Sequence, residues 1–188
     1  MKLSILITRV GESDRFDLEL ISKTVSTGFY GQIIPVMRVK PLHAPLDAYS
    51  PLRGQYLAPK LLTLVESLRR REGFDLGFGV TLLDLYVDGL NFIFGEASDR
   101  SAMFSTNRLR AGVDAGSKLY AKRVATVARH EIGHILGLGH CYNTRCCMRF
   151  HNSVEEVDRG SGDFCPRCAE EVARTLGEAM EPMGSLSL

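Results

Sequence analysis

With 188 residues, 45% of them hydrophobic and 24% charged, the chain has the make-up of an ordinary globular protein and the length of one domain with a real core. A net charge of +1 gives no electrostatic case for a nucleic-acid partner or an anionic membrane surface. No apolar run approaches the ~18 residues of a membrane span.

Leu3 to Val10 is rich in Leu and Ile and predicts a buried first strand; Arg9 cuts the apolar stretch below the core of a secretion signal. Ser13 or Asp14 can cap a helix whose apolar positions are Leu18, Ile21 and Val25, closed by Gly28 and Gly31. Ile33 to Val39 reads as a second strand, which Pro35 assigns to an edge or a strand start. Pro41 to Pro51 is a proline-rich loop, where Asp47, Tyr49 and Arg53 read as loop surface rather than substrate contacts. Leu57, Leu61, Leu64, Val65 and Leu68 form the stripe of a second helix ending in Arg69, Arg70 and Arg71, a basic turn that complements the helix dipole.

Gly77 to Leu83 and Leu90 to Phe94 are apolar and β-prone, and predict central strands joined by a turn at Asp88 and Gly89. Ser101 to Leu109 alternates less cleanly and has polar ends, which places it at an edge. Leu119 to Leu138 is a long helix with Val124, Val127, Ile132, Ile135 and Leu136 facing the core; Ala169 to Met180 is a final helix, and 181–188 a loose tail. Alternating strands and helices predict a single domain of α/β layers over 1–188, with the long helix behind the sheet.

The string His130-Glu-Ile-Gly-His-Ile-Leu-Gly-Leu-Gly-His140 carries the chemistry. Four residues apart on a helix, His130 and His134 project from one face and can grip one metal ion. Glu131 sits beside the first ligand, where its carboxylate can reach a metal-held water. Gly137 can adopt φ > 0, ending the helix and swinging the chain back so that His140 supplies a third nitrogen. Three protein ligands leave a fourth position for water, which is the arrangement of a catalytic zinc.

All five cysteines fall between Cys141 and Cys168. They are too local to staple distant parts of a chain, so metal binding in a reducing cytoplasm is the better reading. Cys165-Pro-Arg-Cys168 is a knuckle; with Cys141 and one of Cys146 and Cys147 it makes four thiolates from two short loops, which suits a closed structural zinc site. Spacing alone does not choose between Cys146 and Cys147. Such a site would hold a polar segment that has too little apolar content to hold itself.

The long histidine motif followed by a nearby Met is the metzincin pattern. Joined to Cys141, Cys146-Cys147-Met148 and Cys165-x-x-Cys168, it resembles the archaemetzincins, as does the stretch from Asp84 to Ala97. The resemblance implies a mixed, mostly parallel sheet with an antiparallel edge strand, a backing helix and an active-site helix over 1–137. It implies a zinc-clipped lower part over 138–188, holding the third His, the Met-turn and a C-terminal helix. It further implies two zinc ions, one catalytic at His130, His134 and His140, one structural at Cys141, Cys146, Cys165 and Cys168, with Met148 as an apolar floor under the imidazoles. Some metzincins carry a Tyr two residues after the Met; here that position is Phe150, which has no hydroxyl.

The expected activity is hydrolysis of peptide bonds in a peptide or protein substrate, by zinc-bound water activated by Glu131. The expected form is a cytoplasmic monomer, with extended substrate added to the edge strand at Ser101 to Leu109. The alternative is a zinc-stabilised peptide-binding module of the same fold that is catalytically idle; the intact Glu131 argues against it, because a pure binder needs no base.

Overall fold

The computed structural model describes residues 2–178 and begins with β1 (Leu3–Arg9), in which Ile5, Leu6 and Ile7 are all buried. Asp14 caps α1 (Arg15–Thr27), its side chain accepting from the Phe16 amide, and Leu18, Ile21 and Val25 face inward. Then follow β2 (Ile33–Met37), β3 (Tyr49–Ser50), β4 (Gln55–Leu57), α2 (Ala58–Glu72), β5 (Leu76–Thr81), β6 (Leu85–Tyr86), β7 (Gly95–Ala97) and β8 (Ser101–Ser105). Ser117 caps α3 (Lys118–Ile135), which is followed by α4 (Val154–Arg159) and α5 (Pro166–Glu178). The predicted last helix thus starts about a turn earlier; Met180 and the predicted tail lie outside the described residues.

The main sheet has the order β2-β1-β5-β8-β7. Its first four strands are parallel, and β7 runs antiparallel to β8 at the edge. β3, β4 and β6 form a small second sheet. On one face, Leu61, Leu62 and Val65 of α2 pack with Val10 and Met103. On the other, Ile5, Ile7, Phe78, Val80 and Phe104 meet α1 and α3 through Leu18, Ile21, Val25, Val124 and Ile132. That second cluster continues without a break into Cys146, Met148, Val157, Val172 and Leu176, so the segment after α3 shares the core of the sheet. Among the described residues, no helix is long and apolar enough to cross a membrane.

Three sequence expectations need correction. Ser101 to Leu109 is not an edge: β8 lies between β5 and β7 and is buried at every residue. Its polar ends mislead because they are satisfied inside: the Ser101 hydroxyl donates to Glu66 Oε2 at 2.6 Å and the Ser105 hydroxyl to the Leu83 carbonyl at 2.6 Å. The edge is β7. Leu90 to Phe94 is not a central strand; apart from a single bridge between Ile93 and Leu85, it is irregular. Arg53 donates to the carbonyls of Leu90 and Asn91, and Gln55 to that of Asn91, so side chains take the place of a ladder. Finally, α4 was not anticipated, since six residues with two valines carry no periodic signal; a bidentate pair from Arg123 of α3 to Asp158, at 2.7 and 2.6 Å, fixes it in place.

Candidate active site

The last turns of α3 bring His130 and His134 onto one face, and the helix then stops at a left-handed residue. Gly137 has φ of 89°, its amide returns to the His134 carbonyl at 2.9 Å, and the Leu138 amide returns to that of Gly133 at 2.9 Å. This paired closure is a Schellman cap, and it requires a residue without Cβ at the turn. It also aims the Leu138 carbonyl back at the helix, where His134 Nδ1 meets it at 2.8 Å. His130 Nδ1 meets the Cys147 carbonyl at 2.7 Å in the same way. A carbonyl can only accept, so both Nδ1 atoms carry hydrogen, and in the neutral rings both Nε2 atoms carry lone pairs.

Those two Nε2 atoms stand 3.0 Å apart with no proton available between them. Facing lone pairs at that distance repel unless a cation lies between them. Tetrahedral zinc at its usual Zn–N length separates neighbouring nitrogens by about 3.3 Å, so the pair fits such an ion. A ring nitrogen of His140 completes the group, all three ligand atoms lying within 4.8 Å of one another. Burial pushes His130 down to about 3, helped by its histidine neighbours, and lowers His134 and His140 too, so all three imidazoles are neutral at physiological pH.

Glu131 is only 4% exposed. Burial, reinforced by the charge of Glu96, pushes its carboxyl up to about 8. Gly95 of β7 makes room for it: a Cβ there would stand 2.5 Å from Cδ and Oε1 of Glu131. Met148 is fully buried beneath the helix, its sulfur so close that a Cβ on Gly133 would stand 2.4 Å from it. The Met148 carbonyl accepts from the Cys141 amide at 2.8 Å, which ties this segment to the residue after His140.

These groups border a cleft of about 550 Å³. Its lining includes Phe92, Phe94, Gly95 and Glu96 from the β7 region, His130, Glu131, His134 and His140, and Phe150 and His151. From sequence, Gly95 and Glu96 enter only as part of the stretch that resembles the family, with no role in the site, and His151 is passed over, since no spacing marks them. Asp47, Tyr49 and Arg53 do not line this cleft: Asp47 pairs with Lys60, Tyr49 stacks near Tyr56, and Arg53 lies over Tyr86.

Below the cleft, the sulfurs of Cys141, Cys146, Cys165 and Cys168 lie within 4.8 Å of one another. Cys141 and Cys165 Sγ are 3.8 Å apart, too far for a disulfide and equal to the ~3.8 Å edge of a zinc–thiolate tetrahedron. The Cys165 amide donates to Cys146 Sγ at 3.3 Å, as a knuckle does. Against the opposing pull of burial, donors that include the Asn143 amide and Arg167 bring Cys141 down to about 7. Cys147 stands outside this group; burial raises its thiol, and its carbonyl serves His130.

The profile of peptidase family M54 matches residues 23–174. An archaemetzincin from Pyrococcus furiosus is 34% identical over 94% of this chain and 96% of its own, and one from Methanopyrus kandleri is 47% identical over 70% and 74%. The crystal structure of the Methanopyrus kandleri archaemetzincin superposes with a TM-score of 0.81 at 35% identity, over 94% of this chain and 96% of that one. A structure described as a zinc-dependent peptidase from Methanocorpusculum labreanum superposes with a TM-score of 0.76 at 27% identity, over 89% and 99%. With the histidine and cysteine groups as its candidate metal sites, the chain belongs to peptidase family M54, the archaemetzincins, and is a zinc metallopeptidase.

Proposed function

We propose that the chain hydrolyses peptide bonds with zinc held by His130, His134 and His140 and with Glu131 as general base, and that Cys141, Cys146, Cys165 and Cys168 hold a second, structural zinc. When bound in the first site, zinc supplies Lewis-acid chemistry, polarising the scissile carbonyl and making water acidic towards ~7. Glu131 takes the proton from the attacking water and delivers it to the leaving amine. Burial raises the basicity of the Glu131 carboxyl, and a cation beside it would favour the ionised form that accepts the proton. Met148 supplies an apolar, fully packed floor that keeps the imidazoles from tilting. The four thiolates tie the 141–147 loop to the start of α5, which supports the floor in turn. An extended substrate adds to the free side of β7, whose Gly95 and Glu96 border the cleft.

The observation that carries this reading is the buried Glu131 carboxyl beside three convergent imidazole nitrogens in the lining of one cleft. The test is Glu131→Ala. Both metals and the melting temperature should be retained, because Glu131 ligates nothing, while peptide cleavage drops about 10²- to 10⁴-fold. A variant that cleaves as fast as wild type removes Glu131 from the mechanism. Metal analysis giving one zinc per chain removes the second site.

A further inference from the structure

Hydrolysis of an amide builds negative charge on the carbonyl oxygen, and an enzyme gains most from a fixed donor aimed where that charge develops. Phe150 cannot be that donor. Its ring packs edge-on against His140, with centroids 5.1 Å apart, and it has no polar atom. The next residue can. His151 borders the same cleft as His130, Glu131 and His134, and its ring centroid is 6.0 Å from that of His130. Its Nε2 is buried and has no hydrogen-bond partner. Buried polar atoms are nearly always partnered, so one left free on a residue that lines a reaction cleft needs a reason.

The backbone on either side of His151 is fastened. The Arg149 amide donates to the Cys146 carbonyl at 3.1 Å, and the Asn152 amide to Glu156 Oε2 at 2.8 Å at the start of α4. Arg123 then holds α4 to the active-site helix through Asp158. The backbone that carries the imidazole is therefore held between two anchored points, from which a turn of the ring can bring the buried Nε2 to a substrate.

We infer that His151 is a further catalytic residue, its Nε2–H donating to the scissile carbonyl oxygen as that oxygen becomes tetrahedral and anionic. The inference rests on the peptidase reading above, and it fills the role that a phenol cannot fill here. Nε2 carries a hydrogen in the charged ring and in one of the two neutral tautomers, and the role requires one of those forms. The carbonyl of the planar substrate need not meet the donor, so its effect falls on the rate of the bound complex rather than on substrate binding.

The test compares zinc-loaded wild type with His151→Phe, which keeps the ring bulk without nitrogen, and His151→Gln, whose amide can place a donor near the Nε2 position. His151→Leu repeats the comparison if the Phe variant does not fold. Zinc content and melting temperature are measured for each. In the Phe variant kcat should fall about 10²- to 10³-fold with KM little changed. Affinity for a phosphinic peptide, whose oxygens imitate the tetrahedral state, should fall by a comparable factor, and His151→Gln should recover part of both losses. If the Phe variant keeps kcat and phosphinate affinity within twofold of wild type, or if His151→Gln loses as much as His151→Phe, the inference is overturned. Absence of cleavage by wild type would overturn the peptidase reading instead, and phosphinate affinity would still read the donor.

Discussion

Gly95→Ala tests whether the position of the proposed base, Glu131, is set from outside its own helix. The added Cβ would stand 2.5 Å from Cδ and Oε1 of Glu131 and 2.8 Å from its Cγ. Non-bonded carbons rest at roughly 3.5–4.0 Å, so one side must yield by about 1 Å. β7 is paired to β8 from Gly95 to Ala97, and α3 is packed into the core, so the carboxylate is the part that moves. A displacement of that size in a reacting group costs about 10²-fold in rate. Overpacking costs about 1–3 kcal/mol, against which alanine regains roughly 0.5–1 kcal/mol of the backbone entropy that glycine loses in a strand. The net loss of about 1–2 kcal/mol lowers the melting temperature of a chain this long by about 2–8 °C. The assay is kcat/KM on a quenched fluorescent peptide, with zinc measured on the same sample. Zinc should be unchanged, because no ligand is touched. Gly177→Ala in α5, where a Cβ meets nothing within 4 Å, is the control, with full activity expected. A Gly95→Ala enzyme that cleaves within twofold of wild type would show that Glu131 is not held by this contact.

Other outcomes separate the two metal groups. Cys146→Ala should lose tight zinc and, through the Met148 segment, much of the activity, whereas Cys147→Ala should keep both zinc ions; the reverse pattern in metal analysis would exchange the two cysteines. Mild chelation should remove the histidine-held ion first and leave the fold intact by circular dichroism, because the thiolate quartet is closed to exchange; simultaneous loss of both metals with unfolding would refute the division. Away from the site, hydrogen bonding from Arg69, with help from Ser101 and Arg70, holds the Glu66 carboxyl down at about 2, against an ordinary value of 4.5. A depressed folded value stabilises the fold fully above pH 4.5, and that stability is lost as pH falls towards 2. Urea midpoints should therefore show Glu66→Gln losing its difference from wild type as pH drops through that window; a difference constant with pH would remove the linkage.

The helices and the first strands were legible because their apolar spacing is also their packing: Leu18, Ile21 and Val25 of α1, and Leu61, Val65 and Leu68 of α2, are the residues that the sheet buries. The histidine and cysteine groups that the fold brings together were legible because metal chemistry restricts both residue type and spacing. The order of the last strands was not. Ser101 and Ser105 look like the ends of a solvent-facing strand, and only partners far along the chain, Glu66 and Leu83, make their burial affordable. The string Leu90 to Phe94 has strand composition, yet Arg53 and Gln55 claim its carbonyls, and Arg108 lies 4.1 Å over the ring of Phe92. Such capture by distant side chains leaves no local pattern. The roles of Gly95, Glu96 and His151 escaped for the same reason: each gains its significance from what the fold sets opposite it.

On the strand addition proposed above, the shortness of β7 limits how a substrate is held. Three residues at ~3.4 Å each give roughly 10 Å of edge, and only alternate residues turn their amide and carbonyl outward. A peptide laid there makes two or three main-chain hydrogen bonds, each worth about 0.5–1.5 kcal/mol net. Their sum reaches at most roughly the 4.1 kcal/mol of a millimolar complex. Grip of this kind spans little more than a dipeptide and is indifferent to its sequence. Residence in the cleft is therefore brief unless side chains add to it, and cut fragments, which keep only part of that short contact, leave faster than the chain that entered.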